Sequence, residues 1–121
     1  MENNIQKLVC VVMGQNCERF IEMCLESVKD ADAIVYCDGG SADNTIPLIY
    51  EFFDKNNIND KFRGIHNPYN QDDPGMNGKQ RGFYLDFLKK NYPGWYCLVL
   101  DADEVLEEGG IQKIKEFLYK N

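Results

Sequence analysis

The 121-residue sequence is short of cationic residues and has a single histidine. Thirteen Lys and Arg stand against twenty Asp and Glu, which gives a formal charge of −7. A nucleic-acid-binding module needs a basic face to offset phosphate charge, so we expect no nucleic-acid partner. One histidine cannot serve several candidate nucleophiles, so a Ser/His/Asp or Cys/His arrangement is not expected either. We interpret that histidine, His66, as structural or incidental.

Long apolar runs are missing as well. The longest near the start is Leu8–Met13, far below the roughly 18 residues that a membrane-spanning helix requires. The first four residues also lack the basic segment of a secretory signal. We therefore expect a soluble, cytoplasmic protein that does not span a membrane, with one domain over residues 1–121.

The cysteines have no pattern that binds metal or forms a disulfide framework. Their number is odd, no Cys-x-x-Cys pair occurs, and we expect small buried residues at these positions. They are Cys10, Cys17, Cys24, Cys37 and Cys97.

Apolar runs alternate with segments of helical periodicity, which predicts an α/β fold with a mainly parallel sheet and helices on both faces. Right-handed crossovers favour the strand order 3-2-1-4. The predicted strands are 7–13, 33–37, 61–66 and 95–100, the first and last of them buried, and the helical segments are 20–28, 46–53, 78–92 and 111–118.

Polar residues follow three of these strands. Asn16 comes after the first, Asp38 after the second, and Asp101 to Glu104 after the fourth. Ligands of open parallel sheets bind at the carboxyl ends of the strands, where the strand order reverses. We therefore expect these side chains to converge on one ligand.

Asp101 and Asp103 are two residues apart, and in an extended chain both carboxylates would face the same way. Mg²⁺ or Mn²⁺ commonly takes one or two carboxylates and completes its shell with phosphate oxygens and water. The alternative is a solvated strand end or a helix cap. Asp38 precedes two glycines and could accept a hydrogen bond from a nucleobase, or it could only stabilise a turn before a helix capped by Asp43.

Lys79 and Arg81 lie in the first turns of the third predicted helix. A helix N-terminus with two cations can bind a diphosphate, although such residues more often form a solvated face.

Three segments together resemble the family 2 glycosyltransferases of GT-A fold, with the closest match to the lipopolysaccharide core transferase branch. The segments are 11–16 (VVMGQN), 35–45 (VYCDGGSADNT) and 98–106 (LVLDADEVL). The resemblance implies a Rossmann-like nucleotide-binding fold and a hexosyltransferase that uses a UDP- or GDP-type sugar donor with Mn²⁺ or Mg²⁺.

The resemblance also implies roles at matching positions. Val11, Met13 and Asn16 would line the base and ribose pocket. Asp38 would read the base, and Arg81 would lie beside the nucleotide-sugar. Asp101 would lie near ribose and metal, and Asp103 would bind the cation that bridges the diphosphate.

Two departures from the family pattern affect these expectations. Met13, Gly14 and Gln15 stand where the family usually has a Pro-Thr or similar pair. The sequence also runs only 18 residues past Asp103, so we expect the donor-binding half alone, without the acceptor site or the carboxylate base. Glu104 and Glu107 are the nearest substitutes, and no catalytic base is assigned. Such a half would expose a sheet edge and apolar faces, which favours a homodimer or a missing C-terminal half as partner.

Two alternatives remain open. Asp101–Val105 also fits the nucleophile motif of haloacid dehalogenase-like phosphatases, but residues 111–121 cannot supply that family's later Ser/Thr, Lys and acidic pair. A non-catalytic nucleotide-sugar-binding or interaction module is the second alternative.

Overall fold

A computed structural model describes residues 7–120 and contains one four-stranded, all-parallel sheet in the order β3-β2-β1-β4. Both the predicted strand order and the α/β class are confirmed. The strands are β1 (Leu8–Gly14), β2 (Ala33–Asp38), β3 (Phe62–His66) and β4 (Tyr96–Asp101). The helices are α1 (Ile21–Val28), α2 (Thr45–Lys55), α3 (Met76–Asn91) and α4 (Gly110–Tyr119), with a short 3-10 turn at Asn59–Lys61.

Alternate residues of β1 pack against helices on opposite faces of the sheet. Leu8, Cys10 and Val12 lie in a cluster with α1, α2 and α4, which we call the α1 face. Val9 and Val11 lie with Tyr84 and Leu88 of α3 in a second cluster, which we call the α3 face. Because β1 and β2 are covered on both sides, their sequences are nearly continuous apolar runs.

The fourth strand was predicted to be buried, and this is wrong for much of it. Leu98 and Leu100 pack on the α1 face, but Cys97 is exposed and Val99 is 39% exposed on the other side. The reason is that β4 pairs only with β1, while α3 covers β1, β2 and part of β3. Cys97 is therefore the exception to the expectation of buried cysteines, which holds for the other four.

Helix α3 begins at Met76, two residues before the predicted start. The carbonyl of Asp73 accepts the Met76 N–H at 3.0 Å, and its carboxylate accepts the Gly75 N–H at 2.9 Å, so the turn leads directly into the helix. With 16 residues α3 is the longest helix, and none within residues 7–120 has the length and apolar character needed to cross a bilayer.

Candidate functional site

A cavity of about 460 Å³ lies at the carboxyl edge of the sheet, between the ends of β1 and β4 and the first turns of α3. Met13 at the end of β1 is in register with Asp101 at the end of β4, and both line this space. Strand order reverses between these two strands, which is where parallel sheets bind their ligands. We call this space the donor cavity.

Arg81 and Asp101 are the charged residues that line the donor cavity. Arg81 is exposed, and its side chain makes no hydrogen bond or ion pair with another residue of the described range. Partial desolvation raises the pKa of Asp101, and the nearby negative charges of Glu104 and Asp103 raise it further. The carboxylates of Asp101, Asp103 and Glu104 at the end of β4 thus lie close enough to disfavour one another's ionised form.

The chain turns after Asp101 instead of continuing extended as predicted. The carbonyl of Asp101 accepts the Glu104 N–H at 2.9 Å, and the Glu104 carboxylate accepts the Asp101 N–H at 2.8 Å. Ala102 is directed into the core and only 3% exposed, while Asp103 is exposed on the turn and does not line the donor cavity.

No group of three or more His, Cys, Asp or Glu that could hold a metal ion by itself occurs within residues 7–120. A cation at Asp101 and Asp103 would therefore need further oxygens from a ligand and from water. Two carboxylates supplemented by phosphate oxygens are a donor set that Mg²⁺ accepts, although of this pair only Asp101 lines the donor cavity.

The turn at Asp101 is positioned by close contact with Gly14. A Cβ atom at Gly14 would lie 2.7 Å from the Ala102 Cβ, 2.9 Å from the Cys17 sulfur and 2.9 Å from the Tyr36 hydroxyl oxygen. Only glycine lets these three side chains meet the end of β1. Sequence reasoning noted this position only as a departure from a family pattern.

Asp38 and Asp101 lie at the same edge of the sheet but on opposite faces. Asp38 is in register with Gly14, whereas Asp101 is in register with Met13. Because side chains alternate along a strand, this offset of one residue sends the two carboxylates to different sides. Asp38 and Asp101 were expected to converge on one ligand. The structure instead separates them.

The Asp38 carboxylate is 6% exposed and bound within its own turn. It accepts the N–H groups of Gly40 and Ser41 at 3.0 and 2.9 Å and the Ser41 hydroxyl at 2.6 Å. His66, for which no partner was predicted, has its Nδ1 3.5 Å from Asp38. Asp38 itself does not line the donor cavity, whereas the next residue, Gly39, does.

Asn16 links two loops and does not line the donor cavity. It adopts a left-handed conformation, with φ of 52°. Its N–H donates to the Ser41 hydroxyl at 2.9 Å, and its side-chain oxygen accepts the Ala42 N–H at 2.7 Å. Asp43 accepts the Thr45 N–H at 2.9 Å from the position before the N-cap Asn44, so it holds the turn into α2 but is not the predicted cap itself. Although partial desolvation opposes the change, hydrogen bonds from the Thr45 hydroxyl, the Thr45 N–H and the Glu18 N–H hold the pKa of Asp43 below its usual range.

Two other predicted ligand contacts are also placed elsewhere. Val11 is fully buried beneath α3, so its side chain does not line the donor cavity. Lys79 is paired with Asp73 at 2.6 Å, on the loop before α3. Lys79 and Arg81 were predicted to bind a diphosphate together, but only Arg81 lines the donor cavity.

Four carboxamides that sequence reasoning missed line the donor cavity, namely Gln15, Gln71, Asn77 and Gln80. Tyr69 lines it too, where its N–H donates to the Gly39 carbonyl at 2.9 Å and its hydroxyl bonds to Asn77. The amide-rich composition of residues 67–77 was a signal for Gln71 and Asn77 only, because Gln and Asn have no spacing rule that marks a binding site.

The two glutamates considered as substitute bases both have other partners. Glu104 accepts the Asp101 N–H, and Glu107 forms an ion pair with Lys113. Neither lines the donor cavity.

Comparison with known proteins gives one positive finding. The family model described as "Glycosyl transferase family 2" matches residues 9–121. The search of curated proteins returned no match.

Proposed function

The chain belongs to glycosyl transferase family 2, and we propose that it binds a nucleotide-diphospho-sugar in the donor cavity and transfers a hexosyl group to an acceptor hydroxyl. The family implies a nucleotide-sugar donor. The UDP or GDP type, the hexose and a requirement for Mn²⁺ or Mg²⁺ are parts of the proposal. So is the lipopolysaccharide core branch, which rests on the sequence resemblance alone.

The observation that carries the proposal is that one cationic and one anionic side chain line the donor cavity. Arg81 and Asp101 line the same space at the switch point of the sheet. A diphosphate with a divalent ion presents negative oxygens to an arginine and a cation to a carboxylate. A phosphatase of the haloacid dehalogenase type has no comparable support from the family comparison.

Each of these residues has a distinct task in the proposed reaction. Asp101 and Asp103 would hold the divalent cation, and Arg81 would pair with a diphosphate oxygen. The ion would stabilise the charge that develops on the diphosphate as the glycosidic bond breaks. Met13 would contact the nucleoside, because it lies beside Asp101 in the sheet and is only partly buried.

Asp38 and Asn16 support the donor cavity as positioning residues in this proposal. Asp38 holds Gly40 and Ser41, and Asn16 holds Ala42, so together they fix the loop that includes Gly39. Direct base recognition by Asp38 stays a prediction, and its carboxylate already accepts three hydrogen bonds within its own turn.

The acceptor site and the base are the least defined part of the proposal. Apart from Asp101, the residues that line the donor cavity include no carboxylate or imidazole to deprotonate an acceptor hydroxyl. We propose that a further segment or a second copy supplies this group, whose contribution to rate is commonly about 10²–10⁴-fold. The cytoplasmic location inferred from the sequence belongs to the same proposal.

Isothermal titration calorimetry tests donor binding directly. We expect UDP or GDP to bind in the presence of Mn²⁺ and to bind much more weakly without it. Asp101→Asn should remove the Mn²⁺ dependence, and Arg81→Met should weaken the remaining affinity for the diphosphate. Two variants on exposed parts of α3, Asp86→Asn and Lys89→Met, serve as matched controls for charge.

The outcomes separate the candidate functions. A nucleotide affinity that is the same with and without Mn²⁺ and unchanged in Asp101→Asn would contradict the metal site. Absence of nucleotide binding together with a stable partner or self-association would instead favour the non-catalytic interaction module.

A further inference from the structure

The polar lining of the donor cavity is almost entirely uncharged. Besides Arg81 and Asp101, its polar side chains are four carboxamides and two tyrosines, namely Gln15, Gln71, Asn77, Gln80, Tyr69 and Tyr84. The proposed function, on which this inference rests, assigns Arg81 to the diphosphate and Asp101 to its cation. No charged side chain of the lining then remains for the rest of the donor.

Carboxamides and tyrosine hydroxyls suit a ligand rich in hydroxyl groups. Each carboxamide has a donor and an acceptor, as each sugar hydroxyl does, so the two can pair without a net charge. A carboxylate or ammonium placed among them would lose water without gaining an ionic partner, which is unfavourable.

Several of these amides are already held in place. Gln80 is 6% exposed and accepts a hydrogen bond from Asn67 at 2.5 Å, while its own amide donates to the Asn67 carbonyl at 3.4 Å. Asn77 is bonded to the Tyr69 hydroxyl. Gln71, by contrast, is exposed, and its side chain makes no hydrogen bond with another residue of the described range.

We propose that the donor is a nucleotide-sugar whose sugar is neutral and bears free hydroxyls, and that Gln71 is a determinant of this charge selectivity. A uronic acid sugar differs from its parent hexose only by a carboxylate in place of the terminal CH₂OH. The donor cavity would discriminate against it because its one arginine is used by the diphosphate.

A pair of donors with the same nucleotide tests the proposal by calorimetry in the presence of Mn²⁺. The probes are UDP-glucose and UDP-glucuronate, or GDP-mannose and GDP-mannuronate if GDP is the nucleotide that binds. We expect the neutral sugar to bind at least tenfold more tightly than the uronate. Gln71→Lys should reduce that ratio at least threefold by giving the carboxylate a partner. Gln112→Lys on α4, remote from the donor cavity, adds the same charge and should leave the ratio unchanged.

Failure of this inference can be told apart from failure of the proposed function. If UDP and GDP both fail to bind with Mn²⁺, the proposed function is refuted and this inference falls with it. If a nucleotide binds but the uronate binds as tightly as the neutral sugar, only the charge selectivity is refuted. A ratio that responds equally to Gln71→Lys and Gln112→Lys, or to neither, would overturn the assignment to Gln71.

Discussion

Substitution of Gly14 by alanine should destabilise the protein through contacts that can be named in advance. The added methyl carbon would lie 2.7 Å from the Ala102 Cβ and 2.9 Å from both the Cys17 sulfur and the Tyr36 hydroxyl oxygen. These groups are buried, and Ala102 lies in the turn that carries Asp101. The methyl group therefore has no empty space to enter, and the turn or the end of β1 must move.

The magnitude follows from the cost of over-packing a filled core, which is about 1–3 kcal/mol. An unfolding entropy of about 2.1 cal/mol/K per residue makes each kcal/mol worth roughly 4 °C in the midpoint of a chain this long. Thermal unfolding followed by circular dichroism should thus show a midpoint about 4–12 °C lower for Gly14→Ala.

Two further variants test whether the contacts around Gly14 cause the destabilisation. Gly82→Ala is the same chemical change in the interior of α3, where nothing lies within 4 Å of the new atom, so it should stabilise by about 0.5–1 kcal/mol. Ala102→Gly alone should lower the unfolding midpoint. Combined with Gly14→Ala, it should raise the midpoint above that of Gly14→Ala alone, because it removes the shortest contact of the added methyl group. The packing argument is refuted if Gly14→Ala unfolds at the wild-type temperature or if Ala102→Gly only adds to its effect.

Three further predictions rest on single features. Thr45→Val leaves the buried Cys17 N–H without its acceptor at 2.8 Å, so chemical denaturation should show a loss of about 1–3 kcal/mol. Thr45→Ser keeps the acceptor and should lose only the buried methyl group, about 1 kcal/mol. Of the five thiols only Cys97 is exposed, so Ellman's reagent should label one thiol rapidly in the native protein and five after denaturation; several fast thiols would contradict the burial. The pKa of Asp101 is higher in the folded protein than in the unfolded chain, so the ionised carboxylate lowers the free energy of unfolding. This destabilisation develops as the pH rises from the pKa of the unfolded chain through the higher pKa of the folded protein. Asp101→Asn should therefore have a higher unfolding midpoint than wild type at neutral pH and no advantage at acidic pH; a midpoint no higher than wild type at neutral pH would contradict this.

The fold was accessible from the sequence because its signals are local. Continuous apolar runs such as Leu8–Met13 identify strands covered on both faces, and the intervening periodic segments identify the helices. The strand order followed from the handedness of crossovers. Burial of β4 was overestimated because its apolar run has the same composition as a central strand, although only one neighbouring strand pairs with it.

The site was accessible only in part. The position of Asp101 at the end of β4 and of Arg81 near the start of α3 follows from element boundaries, and both residues line the donor cavity. The carboxamides could not be identified, since Gln71 reaches the cavity through the path of a long loop that no periodicity describes, and Asn77 and Gln80 carry no mark that separates them from other polar residues of α3.

The sequence alone thus determined which residues end the strands and gather at one edge of the sheet. It did not determine on which side of the sheet they point. That was decided by the pairing register, because Asp38 is level with Gly14 and Asp101 with Met13, and one residue of offset reverses the direction of a side chain. Register is a property of strands in contact, so only the tertiary structure could separate these two carboxylates.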